Sequence, residues 1–344
     1  MRASVLRRLL GLLSCIYSGL IRFRNRLYDT GIFKAGQTGG FVISIGNITT
    51  GGTGKTPLVI WVYKFLAKQG IKCSILTRGY KAESSGESFR DEPELLQENC
   101  PTARVIVNAD RLAAGIQAVR DFGAKAIILD DGFQHRRLAR DINIVCVDSS
   151  CPFGYGKILP AGFLREPPTS LKRATVIVLT RVDQVDEATL KQVTRQVRDL
   201  NPEAAIALTR HKVSKIQISS GREISPDGLE GKKVYAFCGI GNPDAFFRTL
   251  EQSGANLTGR KIYDDHHRYS REDIKEIERE SGKNEAELIV TTEKDYIKLG
   301  EEDLKCEFEV CMLKIDIDFT DGREQLEEII KKGLLQKNVE FGGE

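Results

Sequence analysis

Several features that would identify common classes of protein are missing from this sequence. It has no strong charge of either sign, because 51 lysines and arginines are balanced by 48 acidic residues, for a formal net charge of +3. Nucleic-acid binding usually depends on a strongly basic surface, so we expect no nucleic-acid partner. The eight cysteines include no CxxC pair and no Cys/His set with zinc-like spacing. This excludes a disulfide framework or a structural zinc site.

A hydrophobic run long enough to cross a membrane is also missing. The longest run, LLGLLSCIYSGLI (9–21), has 13 residues, which as a helix reach about 20 Å against a hydrocarbon core of about 30 Å. Helical spacing predicts an apolar face and a polar, basic one; the first comprises Leu6, Leu9, Leu10, Leu13, Tyr17 and Leu20, and the second Arg7, Arg8, Ser14, Ser18 and Arg22. This pattern favours a helix lying in the membrane interface, with arginines toward anionic head groups. The alternatives are a helix packed on its own domain and a signal or spanning segment.

From residue 41 onward, β-branched runs alternate with helical patterns. Such continuous runs are typical of parallel strands with helices on both faces; they are FVISI (41–45), CSILT (73–77), RVIV (104–107), AIILD (126–130), INIVCVD (142–148) and TVIVLT (175–180). A second series begins near Lys232 with VYAFC, continues with LIVTT (288–292) and ends in a helix from about Gly322. We therefore predict an α/β fold: a P-loop NTPase-like parallel sheet covered by helices, a second smaller α/β domain and an N-terminal amphipathic membrane helix. The predicted domains are 1–34, 35–212 and 213–344, with a turn-rich connector at 211–231.

The strongest chemical signal is the glycine-rich segment that follows the first strand. In GGTGKT (51–56) the glycines allow backbone N–H groups to surround a phosphate, the lysine can reach β and γ oxygens, and the last threonine can bind Mg²⁺. The segment departs from G-x-x-x-x-G-K-[ST] because Thr49 stands where the first glycine is expected. The residues predicted to bind the nucleotide here are Thr50, Gly51, Gly52, Thr53, Gly54, Lys55 and Thr56.

Two acids complete this predicted site. Asp130 and Asp131 follow the apolar run at 126–130, at the edge where parallel sheets place their ligands. Carboxylates in this position hold Mg²⁺ directly or through water, so we expect Thr56, Asp130 and Asp131 to form the metal site. The alternative is that the two acids cap a following helix.

Eight motifs together resemble those of the tetraacyldisaccharide 4'-kinase family, which acts in lipid A assembly. They occur in the family's order over about 250 residues: GNITTGGTGKTP (46–57), LTRGY (76–80), RDEPELL (90–96), DDGFQHR (130–136), LPAGFLREP (159–167), GIGNP (239–243), DHHRY (265–269) and TTEKD (291–295). The resemblance implies a Mg²⁺-dependent kinase that transfers the γ-phosphoryl group of ATP to the 4'-hydroxyl of a tetraacylated disaccharide 1-phosphate. It also implies two α/β domains and a membrane-bound N-terminal helix.

The resemblance also implies roles for single residues. Asp91 would be the catalytic acid/base, paired with His266 in preference to His267, and Lys55 would act on the phosphate. Arg165 and Glu166 would lie near the nucleotide, and weaker expectations fall on Arg78, Arg111 and Gln134. Arg165 is expected to meet phosphate, with a structural ion pair as the alternative. From the residues alone, Asp91 would be a helix N-cap. The chain also has Arg90 where the family often has glycine.

The expected partners are a glycolipid and the membrane surface of the inner leaflet, with no obligate protein partner. The predicted location is the cytoplasmic face of the inner membrane, where a tether would affect apparent affinity more than the chemical step. One alternative is a membrane-associated ATPase switch of the partition or septum-site type, although Thr50 stands where such loops carry lysine. The other is a non-catalytic scaffold that retains nucleotide binding.

Overall fold

The computed structural model describes residues 2–79, 91–300 and 309–340, and the side chains of 7–79, 92–300 and 309–340. In chain order the helices and strands are α1 (Arg2–Asp29), β1 (Phe41–Asn47), α2 (Lys55–Lys68), β2 (Cys73–Thr77), α3 (Asp91–Asn99), β3 (Arg104–Val107), α4 (Arg111–Phe122), β4 (Ala126–Asp130), β5 (Ile142–Asp148), β6 (Val176–Thr180), α5 (Glu187–Leu200), β7 (Ala205–Ile218), β8 (Glu223–Ile224), β9 (Lys233–Cys238), α6 (Pro243–Gln252), β10 (Asn256–Ile262), α7 (Arg271–Lys283), β11 (Leu288–Thr292), α8 (Glu293–Tyr296), β12 (Val310–Asp321) and α9 (Arg323–Gln336). The described residues form two compact units. The first contains those up to 79, 96–210 and those from 319, and the second contains 91–95 and the rest of 211–318.

The first unit is built on a parallel sheet with strand order β7-β6-β5-β1-β4-β2-β3. Strands β1, β4, β5 and β6 are buried along their whole length, as continuous β-branched sequences require when both faces are covered. This confirms the predicted α/β class. The central strand β1 lies between β4 and β5. The segment after Asn47 therefore emerges between the carboxyl ends of these two strands, at Asp130 and Asp148.

The second unit has its own parallel strands, in the order β10-β9-β11-β12. Its core includes Val234 and Ala236 of β9, Phe247 and Leu250 of α6, and Val290 of β11. The short strand β8 pairs antiparallel with the second half of β7.

The C-terminal segment corrects the predicted division of the chain. Residues from 319 belong with the first unit rather than with the second. Leu326, Ile330 and Leu334 of α9 are fully buried, and the Cα of Gly333 comes so near Phe41 of β1 that an added Cβ would lie 2.7 Å from its ring. The amphipathic pattern of α9 predicted a helix, but the sheet that it covers depends on a contact about 290 residues away in sequence.

One side of helix α1 packs on its own domain, which was one of the alternatives considered for it. Its protein-facing side is fixed by Ser14, whose Oγ donates to the Ile158 carbonyl (2.9 Å) and accepts from the Ala161 N–H (3.0 Å). The opposite side leaves a stripe of large apolar side chains exposed, namely Leu9, Leu12, Leu13, Ile16, Leu20 and Phe23. Among the described residues, no helix combines the length and apolarity needed to cross a membrane.

Candidate active site

The glycine-rich loop connects β1 to α2, as predicted. Gly51 and Gly54 have φ values of 98° and 81°, a left-handed conformation that favours glycine. Gly54 precedes the first residue of α2, so the free N–H groups of the helix start and its partial positive charge face the loop. Such a loop and helix start form an anion site without further charged groups.

Asp131 links the two basic residues of the predicted nucleotide site. Its carboxylate lies 3.4 Å from Lys55 Nζ and accepts a 2.7 Å hydrogen bond from Arg165. Burial by itself would raise the pKa of Asp131, but Lys55 and Arg165 outweigh it and hold the pKa below its usual range. The acid is therefore ionised, and the three side chains together carry one net positive charge. The ion pair considered for Arg165 is present, and its contact with phosphate stays a prediction.

Asp130 ends β4 and is buried, with 6% of its surface exposed. Its carbonyl accepts from the buried guanidinium of Arg111 at 3.5 Å. After Asp130 the chain turns, and no helix begins there in the described residues. The alternative that the two acids cap a helix is therefore wrong. Thr56, Asp130 and Asp131 offer one hydroxyl and two carboxylates. Oxygen ligands of this kind, with one or two carboxylates, are those that Mg²⁺ takes beside nucleotide phosphates.

The segment 158–166 packs against the phosphate loop. The Thr50 N–H donates to the Phe163 carbonyl at 2.7 Å, and the Arg165 N–H donates to the Ile48 carbonyl at 2.7 Å. These two backbone bonds place Arg165 beside the loop, where its side chain meets Asp131.

The next residue, Glu166, makes different contacts from those expected. Its side chain is fully buried, and its carboxylate accepts from Asn25 (2.9 Å), Arg173 (2.8 Å) and Arg24 (3.5 Å). In the described contacts Glu166 fastens α1 to the core; its role at the nucleotide stays a prediction. Local sequence gave no signal of these partners, since two of them lie about 140 residues away.

The residues with the weaker predicted roles have different surroundings in the structure. Gln134 donates to the Asn47 carbonyl at 2.8 Å, which gives it a packing role beside the loop. Arg78 is exposed at the end of β2. Asn47 was missed: its Nδ2 donates to Thr53 Oγ1 at 2.9 Å. The available signal was a polar residue at the carboxyl end of the central strand.

The two histidines of the second unit differ in their surroundings. His267 stacks on Tyr263 with ring centroids 4.4 Å apart, and its Nε2 lies 3.1 Å from Asp273. His266 has a left-handed backbone (φ 64°), and its N–H donates to the Gly239 carbonyl at 3.2 Å. Both histidines are thus held within their own unit, His267 through its side chain and His266 through its backbone, and the choice of His266 stays a prediction.

The side chain of Asp91 lies outside the described residues. Its backbone begins α3, and the neighbouring Glu92 forms an ion pair with Lys294 of the TTEKD turn. The start of α3 clusters with the second unit. The DEP and DHH motifs therefore belong to the same unit, although they lie about 175 residues apart.

Comparison with known proteins agrees with this arrangement. A family model described as "Tetraacyldisaccharide-1-P 4'-kinase" matches residues 6–335. The "Tetraacyldisaccharide 4'-kinase" of Syntrophus aciditrophicus (strain SB) is 38% identical over 90% of this chain and 88% of its own. That of Halothermothrix orenii is 36% identical over 86% and 84%. A crystal structure of LpxK from Aquifex aeolicus in complex with ATP superposes with a TM-score of 0.73 and 29% identity, covering 95% of this chain and 99% of that one.

Proposed function

Because the chain belongs to the tetraacyldisaccharide-1-P 4'-kinase family, we propose that it binds MgATP at the loop around Lys55 and uses Asp91 and His266 on the acceptor hydroxyl. The reaction is transfer of the γ-phosphoryl group to the 4'-hydroxyl of the glycolipid, a step of lipid A biosynthesis. Family membership over nearly the whole chain favours this kinase over an ATPase switch. The observation that carries the nucleotide site is the cluster of Lys55, Asp131 and Arg165 beside the loop.

The charges of this cluster suit phosphoryl transfer, which depends on positioning and neutralisation of charge. Lys55 and Arg165 supply two positive charges, and the loop amides supply further donors for the phosphate oxygens. Bound Mg²⁺ would add neutralising charge beside Thr56, Asp130 and Asp131. Asp131 is already ionised and orients the side chains of Lys55 and Arg165. One net positive charge remains for the phosphate.

The acceptor side depends on Asp91 and His266. A carboxylate paired with histidine can accept the proton of the sugar hydroxyl, which contributes about 10² to 10⁴ in rate. Two contacts support this pairing: Glu92 is tied to Lys294, and the backbone of His266 is held at Gly239. Asp295, the residue after Lys294, accepts from the Gly239 N–H at 3.0 Å. The TTEKD segment thus contacts the DEP motif directly and is linked to the backbone of His266 through Gly239.

The test is a transfer assay with purified protein, ATP and the disaccharide 1-phosphate. We expect Lys55→Ala to abolish transfer, and Asp91→Asn and His266→Asn to lower kcat by about 10² or more with unfolding temperatures near that of the wild type. His267→Asn is the matched control and should keep most of the activity. Full activity of Asp91→Asn would overturn its role, and a greater loss in His267→Asn than in His266→Asn would reverse the choice between them.

We also propose that α1 lies on the membrane surface with its apolar stripe in the lipid. The stripe of Leu9, Leu12, Leu13, Ile16, Leu20 and Phe23 recurs at helical spacing and is exposed. Arg7, Arg8, Arg22 and Arg26 are exposed on the same helix and can meet anionic head groups. Phe163 of the segment 158–166, which contacts Ser14, and the preceding Tyr155 form an aromatic pair, exposed by 50% and 79%. We place this surface at the inner leaflet, where ATP and the growing glycolipid are both accessible.

Flotation with vesicles that contain anionic lipid tests this surface. We expect the triple variant Leu12→Ser, Ile16→Ser, Leu20→Ser to bind at least about tenfold more weakly, because each side chain loses apolar burial of the order of 1 kcal/mol. Leu335→Ser is the control, since Leu335 is also an exposed leucine on a helix, α9. Equal binding of the triple variant and the control would contradict the proposal.

A further inference from the structure

A group of buried polar side chains lies against the phosphate loop where β6 ends. Thr180 Oγ1 donates to the Thr53 carbonyl at 3.0 Å, and Arg181 donates to the Gly52 carbonyl at 2.7 Å. The other arm of the Arg181 guanidinium forms an ion pair with Asp148 at the end of β5. All three side chains are buried. Arg181 and Asp148 each keep 6% of their side-chain surface exposed, and Thr180 is fully buried.

Arg181 reaches the loop through an unusual backbone. Its φ and ψ are 56° and 41°, the left-handed region that few residues other than glycine adopt. A non-glycine residue there has a cost, and the surrounding structure must hold it in place. Here the guanidinium is held on two sides, by Asp148 and by the loop carbonyl.

These contacts act on the direction of the loop amides. In a planar trans peptide the C=O and the following N–H point in opposite directions. The Gly52 carbonyl is turned toward Arg181, so the Thr53 N–H points away from it. The Thr53 carbonyl is turned toward Thr180, so the Gly54 N–H also points away. Two successive N–H groups are thereby directed away from the sheet end, the arrangement that an anion-binding loop needs.

We propose that Thr180 and Arg181 are positioning residues of the kinase reaction, which fix the direction of the Thr53 and Gly54 amides before the nucleotide binds. Asp148 orients Arg181. These side chains act through the loop backbone rather than on the phosphate itself. The proposal rests on the loop being the ATP site and is independent of the roles of Asp91 and His266.

The decisive variant is Thr180→Val, which removes the hydroxyl and keeps the shape. Thr209→Val is its matched control: Thr209 is also fully buried in this sheet and donates its hydroxyl to the Leu179 carbonyl (3.2 Å), which is not part of the loop. We expect Thr180→Val to weaken MgADP binding, measured by calorimetry, about five- to fiftyfold and to raise KM for ATP, since a buried carbonyl loses its partner. KM for the glycolipid should stay unchanged, Thr180→Ser should restore binding, and Thr209→Val should bind MgADP like the wild type.

A purely structural role for Thr180 would give a different result. Thr180→Val and Thr209→Val would then lower the unfolding temperature by similar amounts, with wild-type MgADP affinity in both, and the proposal would be overturned. Arg181→Lys provides a second route if Thr180→Val does not fold. It keeps one positive charge but not the two-armed contact, so we expect weaker MgADP binding, and wild-type affinity with a folded protein would refute the role of Arg181.

Discussion

Glu166→Gln tests whether α1 is part of the folded core or only attached to it. The variant keeps the shape of the side chain and removes its charge. Glu166 accepts from Asn25, Arg173 and Arg24 inside a fully buried position. Glutamine offers only one oxygen, and its NH₂ group would face donors, so at least one hydrogen bond is lost. Arg173, which is also stacked 4.3 Å from the centre of the Phe133 ring, loses its counter-charge.

The expected cost follows from the exposure of the partners. Removing one member of a fully buried ion pair costs about 3–5 kcal/mol. The side chains of Arg173 and Arg24 keep 19% and 35% of their surface exposed, so solvent recovers part of their charge energy. We therefore expect the free energy of unfolding to fall by about 2–4 kcal/mol. The exposed pair Glu187–Lys191 provides the control, and Glu187→Gln should change stability by less than about 0.5 kcal/mol.

Urea unfolding and hydrogen exchange together provide the measurement. Glu166→Gln should lower the urea midpoint and speed exchange of the amides near Asn25, because the contact that holds this end of α1 is lost. Two results would refute the reasoning. One is equal stability of Glu166→Gln and Glu187→Gln, and the other is a loss of stability with unchanged exchange in α1.

Two further predictions concern the first unit. Burial, together with the charges of Arg111 and Arg140, lowers the pKa of His135 to about 4; the unfolded chain binds this proton near pH 6.5, so stability is full above that pH and falls as pH drops toward about 4. His135→Asn should flatten this slope in urea unfolding between pH 7 and 4.5, and a wild-type slope would contradict the assignment. Gly333→Ala should cost about 1–3 kcal/mol, because its Cβ would lie 2.7 Å from Phe41. Gly11→Ala is the control, because an added Cβ there would have nothing within 4 Å. It should change stability by at most about 1 kcal/mol, in the favourable direction. Equal losses of stability in the two variants, measured by calorimetry, would contradict the packing of α9 on β1.

The parts of the fold that sequence predicted well are those with local signals. The strands at 73–77, 104–107, 126–130, 142–148 and 288–292 have the predicted bounds, because each is a continuous run rich in apolar and β-branched residues. The loop between β1 and α2 was also predictable, since glycines, lysine and threonine follow a strand at fixed spacing. In contrast, β10, β12 and α7 were not assigned, and their alternating or charged sequences resemble surface segments.

The site divides in the same way. The residue types of the phosphate loop and its two acids followed from spacing, but the pairing of Asp131 with both Lys55 and Arg165 needed the fold. No role at this site was predicted for the segment TRVD (180–183). Its contacts with Gly52 and Thr53 depend on β6 lying two strands from β1, with β5 between them, a neighbourhood that composition does not encode.

The segment 158–166 has a consequence for how membrane binding is tested. It forms hydrogen bonds with Ser14 through Ile158 and Ala161, and with Asn25 through Glu166. It also forms a hydrogen bond with Thr50 of the phosphate loop. Helix α1 and the nucleotide loop therefore both contact one short piece of backbone. A tether alone would affect apparent affinity for the lipid and leave the chemical step unchanged. Deleting 1–26 would also remove Asn25 from Glu166 and loosen the backbone that holds the loop, so a loss of activity after deletion would not measure anchoring. Substitutions on the exposed stripe leave these contacts intact, and they separate the effect of the membrane from that of the core.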